Sequence, residues 1–312
     1  MKKINQTQKN TRRKIQKVKI HKKKEKISII NQQSDSLGQI LEKLKNQEKN
    51  LKKQRKSLNS NLNSEKLLIN KGLSLMCKGK FEESINQFDE AIKLNPKNDE
   101  AYVNKSAALI ELNQFKKGLQ TANLAIKSNS KNDEAYNKKG AALFHLNKQK
   151  EAESQFQKAI SLNPKNEFAQ FNMANLLREW DRHTEAIEYY NRAIQINPTD
   201  IEYYIEKAFC LQVLKKYKNA IECFNQALSL NPDEELTQTL LMNKGFSLGC
   251  IQQFEEELDC YQKVVKVNPK HKEAQQLIKI LSIQINNCKK ANDNGTQKNK
   301  KQKIRQLENK KN

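Results

Sequence analysis

Four asparagines, Asn70, Asn104, Asn172 and Asn243, stand 34, 68 and 71 residues apart. A carboxamide offers a donor and an acceptor, so a row of them can pair with peptide backbone groups whatever side chains that peptide carries. No bond-making chemistry is spelled as clearly. The cysteines Cys77, Cys210, Cys223, Cys250, Cys260 and Cys288 are nowhere paired at metal-ligand spacing. Of the histidines, His21 lies in a charge run, and His145 has no base or nucleophile pattern near it. His183 and Trp180 stand where other parts of the chain carry aromatic or aliphatic residues, which predicts packing roles. There is no glycine-rich phosphate loop, no nucleophile elbow and no isolated carboxylate pair. The expectation is a protein without catalytic residues, metal site or cofactor.

The asparagines keep a beat that the prolines share. Each of Pro96, Pro164, Pro198, Pro232 and Pro269 follows an asparagine, at gaps of 68, 34, 34 and 37 residues. The skipped beat is Ser130, after Asn129, and residues 235–237 are an insertion before the last unit. The units are 65–98, 99–132, 133–166, 167–200, 201–234 and 238–271. A fixed period of this length marks a solenoid whose units bury their apolar faces against one another.

Each unit reads as two helices. Its eighth residue is small (Gly72, Ser106, Gly140, Ala174, Ala208, Gly245) and its eleventh is leucine, from Leu75 to Leu248. The twenty-fourth is Phe88, Ala122, Phe156, Tyr190, Phe224 or Tyr261. Positions four, eight and eleven share a helical face, as do twenty, twenty-four and twenty-seven. Small residues let the two helices approach, and the large one fills the space beside them. Proline ends the second helix, and Asp99, Asp133 and Glu167 suit the start of the next.

This pattern resembles the tetratricopeptide repeat family, over residues 65–271. The resemblance implies an all-α fold: a right-handed superhelical solenoid of six helix-turn-helix repeats, with a concave groove lined by the first helices. In such grooves the second, fifth, sixth, ninth, twelfth and thirteenth residues of a unit face inward. The four asparagines then resemble the ladder by which some family grooves grip an extended peptide. Phe144, Phe171, Phe209 and Phe246, with Ile69, Leu73, Met76, Val103, Ile110, Ile205 and Met242, would give it an apolar floor. The clamp that such grooves use for acidic chaperone tails needs lysine, asparagine and arginine over three successive units. No such run occurs here: Ala141, Phe171 and Glu206 interrupt it.

The ends differ from the repeats. Residues 1–64 carry a net charge of +15 and residues 272–312 a net of +8, so the repeats are neutral and the whole +23 lies outside them. Residues 1–35 are predicted to be a disordered basic segment, and 291–312 a disordered basic tail. Leu37, Leu44, Leu51 and Leu58 recur every seven residues, but the other seam position includes Glu48 and Arg55. Residues 36–62 therefore read as a solvated or partly docked helix, or a weak coiled coil. Residues 272–290 carry the stripe Ala274, Leu277, Ile278, Leu281 and Ile285, predicted to cap the last repeat. The repeat domain with its cap thus spans 65–290.

No apolar run is long enough for a membrane span, and no apolar signal region follows the start. With unpaired cysteines, this predicts a reducing cytoplasmic or nuclear location. The leading expectation is an adaptor whose groove takes an extended or amphipathic peptide of a protein partner. The alternative is a nuclear or RNA-associated protein whose lysine-rich ends bind nucleic acid nonspecifically, with twelve Lys/Arg before residue 27.

Overall fold

The computed structural model describes residues 43, 45–53 and 62–287. It divides into two units, Met1–Leu68 and Ile69–Asn312. In the first, residues 45–53 are helical and exposed, Leu51 included, and Glu48 pairs with Lys52 one turn on at 2.7 Å. The expected basic segment at 1–35, the tail at 291–312, and Leu37, Leu44 and Leu58 of the heptad row lie outside the described residues.

The second unit contains helices joined by short turns. The chain enters it through α1 (62–76). There follow α2 (Phe81–Leu94), α3 (Asp99–Glu111), α4 (Phe115–Ser128), α5 (Asp133–His145) and α6 (Gln149–Leu162). Then come α7 (Glu167–Glu179), α8 (His183–Ile196), α9 (Ile201–Val213), α10 (Tyr217–Ser229), α11 (Glu234–Cys250) and α12 (Phe254–Val267). The array closes with α13 (272–287). Odd-numbered helices from α1 to α11 are the first of each repeat and even-numbered ones the second.

Two local devices repeat. Within each unit the fifteenth residue is left-handed: Gly79, Asn113, Asn147, Asp181, Lys215 and Gln252 all have φ between 56° and 69°. The next N–H then returns to the carbonyl of the eleventh residue, as from Lys80 to Leu75 at 2.9 Å and from Gln253 to Leu248 at 3.0 Å. This closes the first helix. Between units the asparagine does more than precede a proline. Asn163 Oδ1 accepts from Lys165 N at 3.1 Å, and its amide nitrogen donates to Asp133 at the start of its own unit, 2.9 Å away. Asn166 caps α7 by accepting from Ala169 N at 2.8 Å, and also donates to Asp133 at 2.7 Å. One carboxylate thus staples two helix starts, a role beyond the dipole argument. The Ser130 turn keeps the whole arrangement: Asn129 and Asn132 both donate to Asp99, and Asn132 caps α5.

Packing follows the expected small-large rule. A methyl group added at Gly72, Gly140 or Gly245 would fall 2.5–2.6 Å from the rings of Phe88, Phe156 and Tyr261 respectively. The second unit solves the problem differently. There Ser106 donates to the Gly118 carbonyl at 2.8 Å, and Ile110 leans over Gly118 in place of the missing ring. The insertion at 235–237 is absorbed as an extra turn at the start of α11, after Asn231 turns left-handed at φ 54°.

The core runs across units as well as within them, as solenoid packing requires. One cluster joins Leu143, Phe156, Leu177, Tyr190 and Tyr203. Another joins Leu248, Tyr261 and Val264 to Ala274, Leu281 and Ile285 of α13, which therefore covers the end of the last repeat. Successive first helices touch one another (α3 with α5, α5 with α7, α7 with α9), while successive second helices make few contacts or none. That spacing puts the first helices on the inside of the curve.

Candidate functional site

The inward positions of the first helices form two contrasting stretches. In the middle, α5, α7 and α9 close a polar network. Asn172 donates to Asn137 Oδ1 at 2.8 Å, and Asn137 is fully buried, its own amide nitrogen without a partner among the described residues. Asn175 accepts from the Tyr190 hydroxyl at 2.6 Å. Arg178 and Glu206 form an ion pair at 3.3 Å that lacks hydrogen-bond alignment. Burial, then the neighbouring Cys210 and Glu206 side chains, raise the Tyr190 hydroxyl well above its ordinary range. Burial likewise pushes the Cys210 thiol up to about 11 and raises Cys223 and Cys260, so these thiols are protonated packing groups. Cys250 is exposed, and Cys77 lies in the turn after α1 rather than in a helix.

The predicted site residues divide accordingly. Phe171 is only 9% exposed and packs against Tyr190 and Tyr203 at ring distances of 5.8 and 4.8 Å. It is a core residue, because the closely spaced first helices cover it. Phe209 is half-buried, edge-on to Phe224, and Phe144 is half-buried against His145. His145 is itself stacked on Phe115 at 4.5 Å, so it does not stand alone. Phe246 is 55% exposed. Asn172 is spent on Asn137, and Asn243 donates to the Thr239 carbonyl of its own helix at 2.9 Å. Asn70 is exposed and Asn104 half-buried, and neither amide is hydrogen-bonded among the described residues.

The second stretch is the end of the array. A cleft of about 670 Å³ opens between α11, α12 and α13, lined among others by Met242, Asn243, Phe246, Glu257 and Leu277. Burial raises the Glu257 carboxyl above the ordinary carboxylate range, against the pull of the Tyr261 hydroxyl, which donates to it at 3.1 Å. Glu257 and the exposed Phe168 were not among the expected groove residues. Both were visible as departures from the repeat: Glu257 replaces a small residue at position twenty, and Phe168 an otherwise charged or polar one at position two. Phe168 is 48% exposed, with Lys138 above its ring at 5.6 Å. Among the described residues no group of metal-ligating side chains could hold an ion, and no helix is long and apolar enough to cross a membrane.

Known proteins share this architecture. Tetratricopeptide repeat models match residues 168–200 and 201–234 with one model and 133–166 with a second, and a TPR repeat model matches 72–113. Among solved structures, PilF of Pseudomonas aeruginosa superposes with a TM-score of 0.58 at 16% identity, over 70% of this chain and 97% of that one. YrrB, described as a TPR protein with an unusual peptide-binding site, gives 0.50 at 22% identity, over 62% and 97%. The Cut9–Hcn1 hetero-tetramer gives 0.57 at 14% identity, over 70% of this chain and 43% of that one. No curated protein matches in sequence. At these identities the likeness is one of fold.

Proposed function

The chain belongs to the tetratricopeptide repeat family, and on that premise we propose that this scaffold is a non-enzymatic adaptor binding an extended or amphipathic peptide along its first helices. The observation that carries the reading is the cleft of about 670 Å³ at the end of that face, with Asn243 and the exposed Phe246 in its wall. The cleft's lining is mostly polar, with Met242, Phe246 and Leu277 as the apolar part, so it offers a ligand orienting hydrogen bonds beside apolar area. Asn70 and Asn104 add uncommitted amides at the other end of the same face. The peptide-binding site named for YrrB and the partner chain named with Cut9 are consistent with such a use of the fold. The chaperone-tail clamp is absent from the proposal, since the middle of the face is neutralised by its own Arg178–Glu206 pair. A cytoplasmic or nuclear location goes with this reading.

The test is a peptide-display selection on the full chain, followed by titration of the selected peptides against Phe246→Ala and Asn104→Ala. A loss of about tenfold or more with unchanged far-UV circular dichroism is expected, as for truncation of a contact residue. Unchanged affinity in both variants would remove the groove reading.

The segregation of the +23 charge into the ends favours a second activity, nonspecific RNA binding by those ends. RNA affinity measured at two salt concentrations, with and without residues 1–34, would then fall steeply with salt and with the deletion.

A further inference from the structure

Some half-buried carboxylates on the repeats are matched by a cation, and others, such as Asp99 and Asp133, by asparagine amides. Asp89 pairs with Lys105, Glu206 with Arg178, and Glu153 with Arg182. The cleft at the end of the array gathers carboxylates with no cation among them. The half-buried Glu257 and the exposed Glu235 and Glu273 line it, and none of the three forms an ion pair among the described residues. Among the described residues no lysine or arginine lines the cleft, and Nδ1 of His271 is occupied in capping α13, accepting from Ala274 N at 3.2 Å.

The arrangement is built from two linked departures from the repeat. Position twelve, large in the other units (Met76, Ile110, Phe144, Arg178, Gln212), is Gly249 here, while position twenty has become glutamate. A methyl group on Gly249 would lie 2.6 Å from a Glu257 carboxylate oxygen. The deleted side chain has therefore made room for a charge on the inner face. Packing does not require that charge: Tyr190 satisfies its hydroxyl with the neutral Asn175, and a neutral amide at 257 would serve Tyr261 equally. Beside the carboxylates lie Phe246, Met242 and Leu277, and helical spacing continues the Glu273–Leu277 face to Ile280, itself 62% exposed. A lysine or arginine has the matching anatomy, an aliphatic stem for the apolar wall and a cationic head for the carboxylates.

We propose that this cleft is a subsite for a lysine or arginine side chain of a partner peptide, with Glu257 as the specificity-determining residue. It rests on the groove reading above and names the partner's chemistry: a basic segment with an apolar residue next to the cation. The head group makes charge-assisted hydrogen bonds to Glu257 and Glu273, and the stem lies on Phe246.

The probe is a short fluorescein-labelled peptide alternating lysine with leucine, with a twin carrying glutamine for each lysine, titrated by anisotropy against the full chain. The lysine peptide is expected to bind about tenfold or more tightly than its twin, as for a charge-assisted contact. Glu257→Gln and Glu273→Gln should each remove most of that preference, and Glu151→Gln, on the remote α6, should not. Equal affinity of the two peptides, or a preference untouched by Glu257→Gln, overturns the proposal. If both peptides bind equally and Phe246→Ala abolishes both, the groove reading survives and only the cation assignment falls. If the lysine peptide binds solely when Lys300, Lys301, Lys303 and Arg305 are changed to glutamine, the chain's own basic segment is the occupant and the partner assignment falls.

Discussion

Asn172 and Asn243 hold the same place in their repeats, yet one is bound to a neighbouring helix and the other only to its own. The same holds for the phenylalanines. Phe171 is covered by Tyr190 and Tyr203, whereas Phe246 stands open at the edge of a cleft. The middle of the inner face spends its polar and aromatic groups on joining α5, α7 and α9. At the end α13 covers the last repeat and no further repeat follows among the described residues, so these groups stay available. Position in the array, rather than position in the repeat, decides whether an inner-face residue is structural.

The sharpest way to break this contrast is to truncate both rings. Phe171→Ala is expected to cost about 3–5 kcal/mol in a urea melt, and Phe246→Ala to stay within about 0.5 kcal/mol. Equal losses would show that the two stretches do not differ. Next are the amides. Asn172→Ala strips Asn137 of its remaining partner and should cost about 1–3 kcal/mol, while Asn243→Ala, which frees one partly solvated carbonyl, should cost about 0.5 kcal/mol or less.

A smaller effect is expected from pH. The folded protein holds Glu257 above its ordinary value through burial, so the ionised form opposes folding. Stability should rise as pH falls through that raised value, and the gain is complete below the ordinary carboxylate range. Glu257→Gln should be the more stable protein at neutral pH, and the gap in melting temperature should close on acidification. Cation binding in the cleft should weaken over the same interval. A small gain is expected from Ser130→Pro, about 0.4–1 kcal/mol of stabilisation, since the Ser130 turn already has the hydrogen bonds of its proline-bearing counterparts. Its value lies in the contrast: stiffening the second repeat should leave affinity at the end of the array unchanged.

That turn also shows how sequence and structure divide. Missing proline, aromatic ring and alanine predict the second repeat to be the softest of the array, which hydrogen exchange can check. The loss of volume at Ala122 is plain in the sequence, but the filling of the space by Ile110 is not. Ile110 reads as an inner-face residue, and its rotamer is settled by what surrounds Gly118. Likewise the inner-face positions could be counted off from the period, but their coverage could not. It depends on how closely neighbouring first helices approach, which no single repeat encodes.

The sequence by itself determined the unit, its two helices, the small-large pairing that holds them, the asparagine turns and the segregation of charge into the ends. All of these rest on contacts within about one period, and local chemistry specifies them. The tertiary structure alone decided which amides are free, that Phe171 belongs to the core, and that Gly249 and Glu257 together put a carboxylate with no cationic partner among the described residues beside Phe246. Those outcomes depend on the stacking of one unit on the next and on where the stacking stops, because burial and electrostatic pairing are properties of neighbours in space.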